Sequence, residues 1–355
     1  MKKWYSYIIL LLVCIGFASC QDNGTVPEPQ TDGRVSVHLQ IALPGGDPAE
    51  RGAQARDFTD GGTDDTTEGQ KTIIKDDVYV LVFQGNTFKG SVPITSVTDQ
   101  SGNSNVKVLE GTFDATGLFG SSLKLVVLAN LKQNEVNTTF SEGISESDLY
   151  NSLIYSYDGT QTPWNTDETS SDYRRIPMWG ATSAFTLSAN QLTQSCDMHR
   201  AVAKLGFLIN ATDAKSEGRG IDGFTITDIS ISGVMDKGYC VSQAAMSGDY
   251  YTAPYVPAGA RTQTVTYSNL NVDKSYKDRI YLPERLVGDN PLTITVNYTY
   301  KGKSKKKEIP FEENVIRNHS YLYNITSVTP DDFDVTISYA VVEWKSETID
   351  VPPFK

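Results

Sequence analysis

The sequence predicts an all-β protein with a minor α component, arranged as two β-sandwich domains. Three observations carry that expectation. Residues 34–43 read Arg-Val-Ser-Val-His-Leu-Gln-Ile-Ala-Leu, with Val35, Val37, Leu39, Ile41 and Leu43 apolar at alternate positions, the period of a strand with one dry face. Short runs rich in Val, Ile, Thr and Tyr recur along the rest of the chain between turn signals, the pattern of sandwiches. No helix of crossover length alternates with them, so a parallel α/β sheet is not expected.

The chain opens with Lys2 and Lys3, an apolar run over 8–17, and Ala18-Ser19-Cys20. A basic start, a short apolar stretch and small residues before a cut make a secretory signal over 1–19. The run is too short to cross a bilayer. Phe17-Ala18-Ser19-Cys20 resembles a bacterial lipobox. By that resemblance Cys20 becomes the first mature residue and carries acyl chains, more than one being needed for stable anchoring. Residues 20–33 are polar, Pro-bearing and nearly devoid of apolar side chains, which makes a tether. The first strand, 34–43, ends at Pro44-Gly45-Gly46, and 47–69 form a second polar stretch with Arg51, Arg56 and Gly61-Gly62. That is far longer than the usual loop of about 4–6 residues, and exposed polar, Gly-bearing segments are where proteases cut. Arg51 and Arg56 suit a trypsin-like enzyme; a long loop with two incidental arginines fits equally well.

Residues 78–83 form a nearly continuous apolar strand, buried on both faces, followed by strands at 106–109 and 123–129. Leu149, Tyr150, Leu153, Ile154 and Tyr157 recur at helical spacing behind Ser145, a candidate N-cap with Asp148 three residues on. Strands near 184–187, 201–209, 224–232, 265–270, 280–284, 292–300, 316–328 and 335–344 complete the chain. The division between domains is expected at 190/191, giving an N-terminal sandwich over 34–190 and a C-terminal one over 191–355. The run Lys301-Gly302-Lys303-Ser304-Lys305-Lys306-Lys307 falls between two strands and is expected to be a solvated hairpin tip.

The formal net charge of −12 argues against nucleic-acid binding. Cys14 leaves with the signal and Cys20 is modified, so Cys196 and Cys240 remain, either as a disulfide or as two buried thiols. His38, His199 and His319 are far apart, and no metal-ligand spacing, nucleophile elbow or phosphate loop occurs. No enzyme activity, metal or cofactor is expected. The 19 tyrosines and four tryptophans, Trp164 and Trp179 among them, could serve a surface glycan-binding lipoprotein as stacking platforms, or pack a β-rich core.

Several short stretches taken together are similar to the Bacteroidales fimbrillin family of fimbrial subunit lipoproteins. They are Phe17-Ala18-Ser19-Cys20, Ile176-Pro177-Met178-Trp179-Gly180 and His199-Arg200-Ala201-Val202-Ala203-Lys204-Leu205. To these are added Ile280-Tyr281-Leu282-Pro283-Glu284, Ile316-Arg317-Asn318-His319-Ser320-Tyr321 and Val341-Val342-Glu343-Trp344. The resemblance implies two transthyretin-like sandwiches in a precursor lipidated and exposed at the outer membrane. It further implies that an arginine-specific protease removes the first strand with its lipid, and that a neighbouring subunit's strand fills the groove, so that subunits polymerise into adhesive fimbriae. The partners are then other fimbrial subunits, the protease, the membrane through the lipid, and a host or bacterial surface receptor. An incoming strand must imitate 34–43. Val335, Ile337, Tyr339 and Val341 alternate suitably near the C-terminus, and Ile349, Val351 and Phe354 make a second candidate donor within 335–354. Residues 335–341 read equally well as the last strand of their own sandwich. Anchor and tip subunits are the family's other roles.

Overall fold

The computed structural model describes residues 33–43, 72–101, 103–158, 164, 174–213, 216–246, 253–288, 291–329 and 332–343. The leader, Cys20, the tether, the 47–69 stretch with Arg51 and Arg56, and Trp344, Ile349, Val351 and Phe354 lie outside the described residues.

The chain is mostly strand. In the first half come β1 (Arg34–Ala42), β2 (Val78–Gln84), β3 (Thr87–Val92), β4 (Ile94–Gln100), β5 (Asn103–Asp114) and β6 (Ser122–Ala129). A short helix, α1 (Glu146–Ser152), precedes β7 (Ile154–Ser156), β8 (Met178–Ala181), β9 (Phe185–Thr186), β10 (Gln191–Asp197) and β11 (His199–Arg200). One sheet runs β10-β1-β5-β4 and the other β11-β8-β6-β2-β3, with β9 added beside β6.

The second half contributes β12 (Ala203–Ile209), β13 (Phe224–Met235), β14 (Lys237–Tyr239), β15 (Thr262–Tyr267) and β16 (Ser275–Leu282). It ends with β17 (Leu292–Tyr300), β18 (Lys303–Phe311), β19 (His319–Val328) and β20 (Val335–Glu343). Its sheets run β16-β12-β19-β20 and β15-β13-β17-β18, and a two-stranded ribbon pairs β14 with β7. The all-β class with minor helix holds.

The apolar run of β2 has a physical reason. Val78, Val80 and Val82 enter the core shared with β1, whereas Leu81 and Phe83 enter a second core on the opposite face. The strand β6 divides in the same way, Leu125 and Val127 on one side and Val126 and Leu128 on the other. This sheet is therefore covered on both faces, which an antiparallel sheet needs before its strands lose their alternation.

Three local expectations change. The helix stops early: Ser145 caps it by accepting from Asp148 N at 3.1 Å, but after Ser152 the chain extends into β7, carrying Tyr155 and Tyr157 away from any helical face. The lysine run is mostly strand, because the turn needs only Lys301 and Gly302, at φ 48° and 77°. Two successive left-handed residues make the tight hairpin that matches strand twist. Lysines 303, 305, 306 and 307 therefore sit on an edge strand, where charge discourages foreign pairing. Lastly, β10 and β11 lie past 190/191 yet pair with β1 and β8 of the first sandwich. Ala201 N still donates to Pro177 O at 2.9 Å, while Val202 O accepts from Asn318 N at 2.8 Å, so pairing changes over between Ala201 and Val202.

Candidate functional site

The strand β1 occupies the middle of its sheet. It runs parallel to β10, from Ser36 opposite Gln191 to Ala42 opposite Asp197, and antiparallel to β5, from Arg34 opposite Asp114 to Ala42 opposite Val106. Its ends are tied as well: Ser36 N donates to Asn190 O at 2.8 Å, Leu43 N to Asn105 O at 2.7 Å, and Met198 N to Ala42 O at 2.8 Å. Val35, Leu39, Ile41 and Leu43 are 0% exposed and Val37 is 1%. At about 1.5–3 kcal/mol for each fully buried aliphatic side chain, this is a large share of the first core. On the outer face His38 Nδ1 lies 2.6 Å from Glu110 Oε1. The chain rejoins the core at Thr72, whose carbonyl accepts from Asn130 Nδ2 at 3.0 Å, and at buried Ile73. The chain is thus tied to the same core on the far side of the arginine-bearing stretch.

At the other end, β20 pairs antiparallel with β19, with Val335 opposite Val328, Ile337 opposite Ile325, Tyr339 opposite Tyr323 and Val341 opposite Tyr321. The residues proposed from sequence as a donor therefore form, over 335–343, the last strand of their own sandwich. Val335 is buried, and the Tyr339 ring packs 4.8 Å from that of Tyr323. Burial is the main force pushing the Tyr339 hydroxyl pKa upward. The strand ends its sheet, and beside it a groove of about 300 Å³ is lined by Ile309, Phe311, Tyr323, Ile337 and Tyr339.

Most of the scattered stretches that carried the family resemblance meet at one seam. His199 and Arg200 pair with Trp179 and Met178. Lys204 lies opposite Tyr281 on one side and Ser320 on the other, and His319, Ser320 and Tyr321 pair with Glu343, Val342 and Val341. Arg317 and Glu284, each 1% exposed, form an ion pair at 2.6 Å. The same guanidinium donates to Cys240 O at 3.2 Å and Tyr239 O at 3.0 Å. Burial, the largest single influence, pulls the Arg317 pKa down, but the charge and hydrogen bond of Glu284, with smaller contributions from Tyr155 and Cys240, together leave it raised. From β7 and the residue just beyond it, Tyr157 Oη donates to Tyr281 O at 2.7 Å and Tyr155 Oη to Ala201 O at 3.2 Å. These stretches build an architectural joint. Their residue types showed no local sign of it, because each partner lies tens of residues away.

The two tryptophans are not surface platforms. Trp164 is 1% and Trp179 2% exposed; Trp164 Nε1 donates to Asn134 Oδ1 at 2.7 Å, and Trp179 packs edge-on to Tyr150. The disulfide left open by the sequence does not form. Cys196 and Cys240 are free thiols in separate cores, and burial pushes the Cys240 thiol up to about 12. His319 is held structurally, Nδ1 being 2.9 Å from Arg317 O. Among the described residues no three His, Cys, Asp or Glu side chains gather as a metal site.

The family model of the fimbrillin-A associated anchor proteins Mfa1 and Mfa2 matches residues 59–350. A candidate cell-adhesion protein of Parabacteroides distasonis is 15% identical over 89% of this chain and 99% of its own, with a TM-score of 0.48. Another from Bacteroides eggerthii is 15% identical over 87% and 96%, at 0.45. A candidate polysaccharide-binding protein of Bacteroides thetaiotaomicron is 11% identical over 89% and 98%, at 0.38. No curated protein matches the sequence.

Proposed function

Since the chain belongs to the family of fimbrillin-A associated anchor proteins Mfa1 and Mfa2, we propose that it is a structural subunit of adhesive surface fimbriae whose first strand holds a place for another subunit's strand. One observation carries this reading: β1, whose five apolar side chains are all buried, sits in sequence between Cys20 and the pair Arg51 and Arg56. A cut after either arginine would separate β1, with its lipid, from a core that resumes at Thr72. The strands β5 and β10 would then face an open lane of unpaired backbone groups above an apolar floor. Such a lane is an aggregation hazard until filled. An extended strand fills it by main-chain bonding, with alternate side chains fixing register. Lipidation at Cys20, display at the outer membrane and cutting by an arginine-specific protease complete the proposal. The segment bearing Ile349, Val351 and Phe354 remains a donor candidate. Val335, Ile337, Tyr339 and Val341 would first have to leave β19.

A second reading is favoured by the family description itself. A copy left uncut keeps both β1 and the lipid, and serves as the membrane anchor at the base of a filament. Treating the mature chain with an arginine-specific protease separates the two. The first reading expects new N-termini at Gly52 or Asp57 and a ladder of polymers. Chains that stay intact, or are cut and never assemble, leave only the anchor.

A further inference from the structure

Strand replacement at β1, on which this inference rests, requires the slot to recognise the incoming strand in one register. The apolar floor cannot do that alone. A shift of one residue turns the dry face outward, but a shift of two leaves every apolar side chain pointing inward. The outer face supplies the missing mark. Arg34 stands directly opposite Asp114, and His38 opposite Glu110, both acids belonging to β5. The other facing pairs on that side, Ser36 with Thr112, Gln40 with Val108 and Ala42 with Val106, carry no charge. On the β10 side Ser36, His38 and Gln40 face the uncharged Gln191, Thr193 and Ser195, and the one acid, Asp197, faces Ala42, a place that neither basic side chain reaches in a two-residue shift. A two-residue shift in either direction separates both basic side chains from both acids, because each then faces an uncharged position. Opposite charges across a strand pair stabilise it and like charges destabilise it.

We infer that Asp114 and Glu110 are the register and selectivity marks of the slot, and that its partner is a strand from a different subunit with basic side chains at the places of Arg34 and His38 and aliphatic ones between. This chain's own C-terminal segment lacks that pattern. The positions alternating with its apolar residues are Thr336, Ser338 and Ala340, and Asp350 lies between Ile349 and Val351. Seating Val335, Ile337, Tyr339 and Val341 in the five apolar places would also put Tyr339 where Leu39 or Ile41 is completely buried. A bulkier side chain with an unmatched hydroxyl is disfavoured there.

The test uses the mature chain with a site-specific protease sequence inserted between Arg51 and Arg56, cut, and offered labelled peptides of residues 33–43. The native peptide is expected to enter and persist. A peptide carrying Arg34→Glu and His38→Glu is expected to leave about tenfold faster, given one opposite-charge pair and one histidine–carboxylate hydrogen bond each replaced by a like-charge pair. Asp114→Lys with Glu110→Lys in the chain should reverse that preference, and added salt should shrink it. Equal lifetimes for the two peptides on the native chain overturn the inference and leave strand replacement standing. If no peptide enters, strand replacement fails and the inference with it.

Discussion

Arg317 concentrates the chemistry of the seam. Its guanidinium holds Glu284 and two backbone carbonyls while 1% exposed. Removing one member of a buried pair strands the other charge in a medium that cannot solvate it. Arg317→Met should therefore cost about 3–5 kcal/mol in urea unfolding, whereas combining it with Glu284→Leu should recover much of that loss. His199 adds a pH dependence. Burial first, and the Arg317 charge second, hold its pKa down to about 4, against 6.5 ordinarily. The folded chain thus refuses a proton that the unfolded chain accepts between those values. Its contribution is complete above pH 6.5 and is lost as pH falls towards 4, by at most about 3 kcal/mol at 1.36 kcal/mol per unit. Unfolding of His199→Gln followed across pH 4–7 should show a shallower slope than the native chain. None of this was legible locally: Arg317 and Glu284 lie 33 residues apart with the whole β17–β18 hairpin between them, and a lone histidine between Met198 and Arg200 announces neither its enclosure nor its ring contact with Trp179.

Among the elements, β1 was legible because its two faces differ, dry core on one side and the His38–Glu110 face on the other. Its place between two partners was not, since β10 reaches it only after more than a hundred residues and pairs in parallel. For the same reason the pairing of β10 and β11 with β1 and β8 was not legible: nothing in residues 191–200 distinguishes a strand that returns to the first sandwich from one that begins the second. The donor candidate at 335–341 shows the complementary ambiguity. Alternation reports a strand with one buried face, and the pairing of β20 with β19 satisfies it inside the chain's own sandwich. Leu39 gives the clearest measure of how much of the first core rests on β1. It is fully buried, so Leu39→Ala in the uncut chain should destabilise by about 2–5 kcal/mol through lost transfer energy and a residual cavity. Chemical denaturation monitored by circular dichroism checks this value.

At the scale of the whole molecule, two sandwiches are joined by a packed seam, and most of the stretches that carried the family resemblance build that seam. The family resemblance was legible because several short stretches, scattered over the chain, could be read together. The proposed assembly role is read from order along the chain: Cys20 in its lipobox-like stretch, the buried strand β1, Arg51 and Arg56, and a core that resumes at Thr72. The N-terminal sequence of this subunit, taken from fimbriae sheared off cells, tests that role most directly. Strand replacement predicts chains beginning at Gly52 or Asp57, without Cys20. Filament-incorporated chains that begin at a lipidated Cys20 and retain residues 34–43 would contradict it.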